Sequence, residues 1–246
     1  TQGLPHGFFS QALPTLLRQQ GMSLEAIGLM SLVSLPWVLK FLWAPLLDHY
    51  QPLKRLTGGR IDGHIRKTWI VFANAVAAIV LIFIASIPLD FWISQAAVGL
   101  ACALLVLTVF VVTQDIATDA LAVENIAPAQ RGLGNSVQVA GYRLGMIIGG
   151  GLLLAIFAQL GWAGTLWALA GLMILGLIPL WFWQPARVKV DKEPVFNHWL
   201  GFLRLPGASA WLLLLLTYKV GDAFGTVMIR PHLVDLGVTL PEFAEL

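Results

Sequence analysis

Long apolar stretches dominate the chain, and polar residues interrupt them at intervals that suit helices crossing a bilayer. Such a helix needs about 20 predominantly apolar residues. The first stretch, 3–20, is short for this and holds Pro5, His6, Ser10, Gln11 and Pro14. It reads either as the second part of a longer helix or as a broken helix lining a cavity, because Pro frees backbone carbonyls that need partners. Ser23-Leu24-Glu25 restarts the chain as a helix N-cap. The second span then runs to Asp48, bent at Pro36 and Pro45. Residues 49–67 are polar and basic, with turns at Gly58-Gly59 and Asp62-Gly63. A third span covers 68–88, Asp90 marks a short turn, and a fourth span covers 91–123. The fourth is long enough to tilt or to project beyond the bilayer. Ala127-Pro128-Ala129 turns the chain into a fifth span, 132–160, and Gly161-Trp162 breaks it before a sixth, 163–183. A polar linker, 184–206, leads to a seventh span, 208–233, and residues 239–246 begin another helix.

Composition agrees with the pattern. Of 246 residues, 58% are hydrophobic and 11% charged, with a mean hydropathy of +0.79. Soluble domains carry roughly 25% charged residues, so this chain cannot cover a soluble surface and the bilayer is its solvent. A net charge of +2 gives no case for a nucleic-acid partner. The one cysteine, Cys102, excludes an intrachain disulfide and a multi-cysteine metal site, and reads as a small buried apolar residue. Trp37, Trp92, Trp162 and Trp183 lie near span ends as interfacial anchors. No cofactor and no metal are expected.

Basic residues fix the orientation. The loops after the second, fourth and sixth spans hold Lys54, Arg55, Arg60, Arg66, Lys67, Arg131, Arg187, Lys189, Lys192 and Arg204, against Arg18 and Arg230 on the other side. The positive-inside rule places the first group in the cytoplasm. The stretch from Pro14 to Glu25 is echoed by that from Pro231 to Glu242, as if the seventh span restarts the plan of the first, and transporters are often built from repeated halves. The expected organisation is a six-helix half over 1–184 with an incomplete first helix, an inter-half linker over 185–206, and the start of a second half over 207–246. Thr1 begins abruptly, so the chain is expected to be cut there and to lack most of a second half beyond Leu246.

Charges inside spans mark functional sites by default, and they concentrate in the hairpin of residues 114–151. Asp115 and Asp119 are four apart and share a helix face. Two such carboxylates need a cation or a shared proton. Counted from Pro128, Asp115 and Arg143 lie at similar depth, which predicts an Asp115–Arg143 pair. Lys40 lies at comparable depth and is a candidate partner for Asp119 or Asp115. Two readings stay open: a polar pathway in which protonation changes charge pairing and conformation, or a static cluster that joins helices. In the seventh span Lys219 and Asp222 either pair with each other or contribute to the same site. Gly141, Gly145 and Gly149, spaced by four, bare one side of the fifth span for close helix packing. His6, Gln11, Gln114, Gln138 and Tyr142 are the candidate solute-lining groups.

Several strings carry a resemblance: Gly3-Leu-Pro-His-Gly-Phe-Phe, Leu39-Lys-Phe-Leu-Trp-Ala-Pro-Leu-Leu-Asp48, Gln114-Asp-Ile-Ala-Thr-Asp119, Arg131-Gly-Leu-Gly-Asn-Ser, Gly141-Tyr-Arg-Leu-Gly-Met146 and Tyr218-Lys-Val-Gly-Asp-Ala-Phe224. With them the chain resembles the major facilitator superfamily, in the branch of AmpG-type muropeptide permeases and RhtX/FptX-type siderophore transporters. The resemblance implies an all-α, multi-pass carrier of the bacterial inner membrane that works by alternating access with protons. The first and third strings look more like the siderophore subgroup, so siderophore import is the leading expectation and muropeptide import the alternative. Asp48 and the basic residues after it, including Arg66 and Lys67, occupy the position of the superfamily's gating loop, although this loop is longer than the usual tight turn. Of another class is an intramembrane prenyltransferase-like enzyme, in which Asp115-x-x-x-Asp119 would hold Mg²⁺; no second such motif is present. A retinal protein built on Lys219 is a further alternative, opposed by the basic linker and the echo.

Overall fold

A computed structural model of the chain describes residues 2–19, 22–23, 26–27, 30–49, 65–182, 201, 204–211, 213–214 and 217. Lys219, Asp222, Trp183 and the basic loop before Ile65 lie outside the described residues, as do the echoed stretch Pro231 to Glu242 and most of the linker and the seventh span. Two compact units are present, Thr1–Asp191 and Lys192–Leu246. Among the described residues every regular element is a helix.

The first span is one continuous helical segment, not a broken one. Its α-helical ends, Gly3–Gly7 and Leu13–Gln19, join through a π-helical turn at Phe8–Ala12. Pro5 sits in the first turn, where a missing N–H costs nothing. Pro14 follows the widened turn, where the usual hydrogen-bond ladder is already interrupted. In the second span the Ala26 N–H donates to Ser23 Oγ at 3.2 Å, the expected N-cap. Beyond it the prolines segment the span more than a bend would. Short 3₁₀ turns, Ser31–Ser34 and Lys40–Leu42, flank an α-helix Leu35–Leu39 that carries Pro36 in its first turn, and Pro45 precedes the helix Leu46–His49.

The third span, Ile65–Ala85, starts earlier than predicted, so Arg66 and Lys67 belong to its first turn and not to the loop. The fourth is divided. A short helix, Leu89–Gln95, ends at Ala96 (φ −136°), and the long helix Ala97–Asn125 follows. Asp90 therefore lies in a helix first turn, where its charge meets the positive end of the dipole, and not in a turn between spans. After the 3₁₀ turn Pro128–Gln130, the fifth span runs through Arg131–Met146 and a second π-helical turn, Ile147–Leu152. The next helix, Leu153–Leu175, is interrupted at Gly161 (φ 64°), the break predicted there. That left-handed conformation is readily adopted only by glycine. Among the described residues, Ile65–Ala85, Ala97–Asn125 and the 55-residue stretch Pro128–Phe182 are long and apolar enough to cross a membrane.

The core of the first unit is built mainly from four spans, with Leu153 added from the fifth. Phe8, Leu16 and Leu17 of the first, Leu81 and Ile84 of the third, Leu100 and Leu107 of the fourth, and Leu166, Leu169 and Met173 of the sixth are fully buried. Asn74 Nδ2 donates to the Met173 carbonyl at 3.1 Å and ties the third span to the sixth. Trp92 and Trp162 are buried, not interfacial, and both indoles donate to the Ile84 carbonyl at the end of the third span. Cys102 is exposed, contrary to the expectation of burial.

The first and fifth spans meet through bare backbone. A methyl built on Gly145 would lie 2.9 Å from Gly3 Cα; one on Gly149 would strike the Leu4 carbonyl, and one on Gly7 would strike the Met146 backbone. Gly141 meets nothing and is exposed, so it is not part of this contact. Gly150 replaces it, packed against Gln11 and Gly7.

Candidate transport site

The second, fourth and fifth spans bring four polar side chains together. Asp115 and Asp119, one turn apart on the long fourth helix, both face Lys40. Its ammonium lies 2.9 Å from Asp115 Oδ2 and 3.6 Å from Asp119 Oδ2. Asp115 is buried, while Lys40 and Asp119 are partly open. Gln138, on the fifth span, donates from its amide to Asp119 Oδ1. The Trp43 indole donates to Thr113 Oγ1 at 3.2 Å and closes the second span onto the fourth beside the cluster. Lys40 thus supplies the cation that the two carboxylates require, and an ammonium in water-poor surroundings binds them more strongly than it would in water.

The predicted Asp115–Arg143 pair is absent. Arg143 is exposed and makes no ion pair among the described residues. Residue counting fixes depth along a helix but not direction around it. Gln138 and Tyr142, four apart, share the inward face, and Arg143 is turned about 100° from Tyr142.

A separate group lies on the first span. His6 stands edge-on to Trp37 with ring centroids 5.2 Å apart and tilted against Tyr142 at 5.7 Å. It lines a cavity of about 390 Å³ between the first, second and fourth spans, whose other walls include Phe9, Met30, Trp37, Leu104 and Val111. Of the remaining candidates, Gln114 is buried on the fourth helix, and Gln11 is exposed beside Gly150. Near the basic end of the bundle, Arg66 Nε and Glu124 Oε1 pair at 3.0 Å and join the third span to the fourth. Lys67 is half-buried in the same turn. Asp48 belongs to the helix Leu46–His49, but its side chain lies outside the described residues. Trp37, Trp43, Thr113, Glu124, Gly3 and Gly7 were not among the predicted site residues. Of these, Glu124 carried a legible signal as a charge within the stretch 114–151, and Gly3 and Gly7 another, the same spacing of four as the fifth-span glycines.

The family model of the Major Facilitator Superfamily matches residues 2–244. The chain belongs to this superfamily. It is 34% identical to an uncharacterized protein of Haemophilus influenzae, over 98% of this chain and 56% of that protein. It is 33% identical to the anhydromuropeptide permease of Escherichia coli strain K12, over 94% of this chain and 46% of the permease. A protein of Rickettsia conorii named as an AmpG transporter is 25% identical over 98% of this chain and 59% of its own length. The chain spans about half the length of the curated relatives it matches. Membership places it in a family of multi-pass membrane transporters and not of enzymes, which sets aside the prenyltransferase-like reading of Asp115 and Asp119. Both carboxylates already face an ammonium.

Proposed function

We propose that this chain is part of a bacterial inner-membrane carrier of the AmpG type, importing a muropeptide by alternating access with protons as the driving ion. The observation that carries the solute is the 33% identity to an anhydromuropeptide permease over 94% of the chain. On this ground muropeptide import replaces siderophore import as the leading reading.

The coupling rests on the ion cluster. Lys40 binds two carboxylates within an apolar 29-residue helix. Protonation of either carboxylate removes part of the attraction that holds the second span to the fourth, and intramembrane carboxylates serve as proton relays in this way. The organisation belongs to the same proposal: a six-helix half over 1–184, a cytoplasmic linker over 185–206 and the start of a second half over 207–246, completed in the full-length protein.

Uptake into right-side-out membrane vesicles containing the full-length protein tests the reading. Radiolabelled anhydromuropeptide should accumulate, and a protonophore should abolish the accumulation. Accumulation of an iron-loaded siderophore without that of muropeptide would restore the siderophore reading. Accumulation untouched by the protonophore would remove proton coupling.

A further inference from the structure

We propose that His6 is the proton-binding residue of the apolar cavity, and that its charge acts on the Lys40–Asp115–Asp119 cluster through Tyr142. The inference deepens the transport reading, whose site it shares.

Among the described residues lining the cavity, His6 alone can change charge. Two of the hydroxyls that line it donate to backbone carbonyls: Ser10 to that of His6 at 2.7 Å and Thr108 to that of Leu104 at 2.9 Å. An ordinary histidine titrates near pH 6.5, inside the range that a proton gradient spans. The His6 ring touches two aromatic rings on two different spans, Trp37 and Tyr142. Tyr142 lies one helical turn along the fifth span from Gln138, whose amide donates to Asp119, the carboxylate that shares the Lys40 ammonium with Asp115. His6 therefore stands between the space a solute would enter and the pair that fastens the second span to the fourth.

The titratable and charged groups on the elements around His6 are few. Its own span carries Arg18, the fifth carries Arg131, Tyr142 and Arg143, the second, among its described residues, Lys40, Asp48 and His49, and the fourth Cys102, Asp115, Asp119 and Glu124; the π-helical turn Ile147–Leu152 and the helix Leu153–Leu175 carry none. A proton on His6 adds a cation, in ring contact with Tyr142, to the apolar bundle that holds the two carboxylates. It then shares the attraction of Asp115 with Lys40 and loosens that pair. It also gains from the indole within the ~6 Å range of cation–π attraction. A solute that occupies the cavity and displaces water from His6 disfavours the charged ring, so entry and proton release are linked.

The test needs no solute. The full-length protein in lipid nanodiscs is titrated from acid to neutral pH, and the Trp37 fluorescence is isolated as the difference between wild type and Trp37→Phe. An imidazolium in contact quenches an indole, so this signal should fall in one step as pH falls. The step should vanish in His6→Gln. In Asp115→Asn its midpoint should move to lower pH by about half a unit or more, because the anion favouring the imidazolium is gone. In Lys40→Met it should move the other way. Tyr142→Phe, which keeps the ring, should shrink the Asp115→Asn displacement. A step that survives in His6→Gln overturns the assignment of the proton to His6. A midpoint that moves with neither Asp115→Asn nor Lys40→Met overturns the link to the cluster. Either result stands apart from the solute, since failure of muropeptide uptake leaves the titration unchanged.

Discussion

One ammonium, that of Lys40, sits between two carboxylates one helical turn apart, and the nearer carboxylate is buried. Removing Lys40 alone strands the Asp115 charge in an apolar bundle. Breaking a buried pair from one side costs about 3–5 kcal/mol, and the partial exposure of Lys40 places this case at the lower end. Lys40→Met should therefore lower the thermal unfolding temperature of the purified protein, and Lys40→Met with Asp115→Asn should recover most of the loss. A double variant no more stable than the single one would count against a pair held by charge. Arg143 offers the contrast. It is exposed and unpaired among the described residues, so Arg143→Gln should leave stability within about 0.5 kcal/mol and uptake within about twofold, while Asp115→Asn should abolish proton-driven uptake. At this scale the residue types and their depth were legible in the sequence, because charges stand out in apolar helices. Their partners were not. The step of about 100° between neighbouring residues turns Gln138 and Tyr142 inward and Arg143 away, and that rotation is fixed only by how the fifth span docks on the first.

That docking is the main element-scale device. Gly145, Gly149 and Gly150 on the fifth span meet Gly3, Leu4 and Gly7 on the first, backbone against backbone. Spacing by four announces a bare face, but not which glycines use it: Gly141 continues the spacing and meets open space. Gly149→Ala should destabilise by about 1–3 kcal/mol through overpacking. Gly141→Ala should be neutral, or stabilising by up to about 1 kcal/mol, because alanine is the better helix former. Unfolding temperatures of the two variants, measured side by side, decide the point, and equal losses would refute a Gly149 contact that Gly141 lacks. Two features of the helices escaped the pattern for physical reasons. A π-helical turn, as at Phe8–Ala12 and Ile147–Leu152, widens the helix without altering the apolar character of its residues. The break at Ala96 occurs without glycine or proline, so no local residue announces it. The break at Gly161 was legible, because a positive φ selects glycine.

At the scale of the first unit, hydropathy predicts how many apolar helices exist but not which are neighbours. The core joins the first, third, fourth and sixth spans with Leu153 near the end of the fifth, while Leu35, Val38 and Leu42 of the second and Leu133, Val137 and Leu144 of the fifth are left exposed. Those faces are apolar because lipid or further helices cover them. Water would not tolerate so large an exposed apolar area on a monomer. Burial therefore divides the bundle by neighbour, whereas basic charge divides it by side. Arg66 and Glu124 pair at the end of the bundle where the predicted cytoplasmic loops begin, and the opposite end is closed by the Trp92 and Trp162 indoles on the Ile84 carbonyl. The contrast is an argument about orientation. Lys and Arg resist translocation and stay in the cytoplasm, so the turn before Arg131 should face inward and the short helix Leu89–Gln95 outward. In full-length protein made cysteine-free, starting from Cys102→Ser, a cysteine at exposed Ala129 should react with a membrane-impermeant maleimide only after the membrane is permeabilised. A cysteine at exposed Ser94 should react in intact cells. The reverse labelling would invert the bundle and overturn the orientation read from its basic residues.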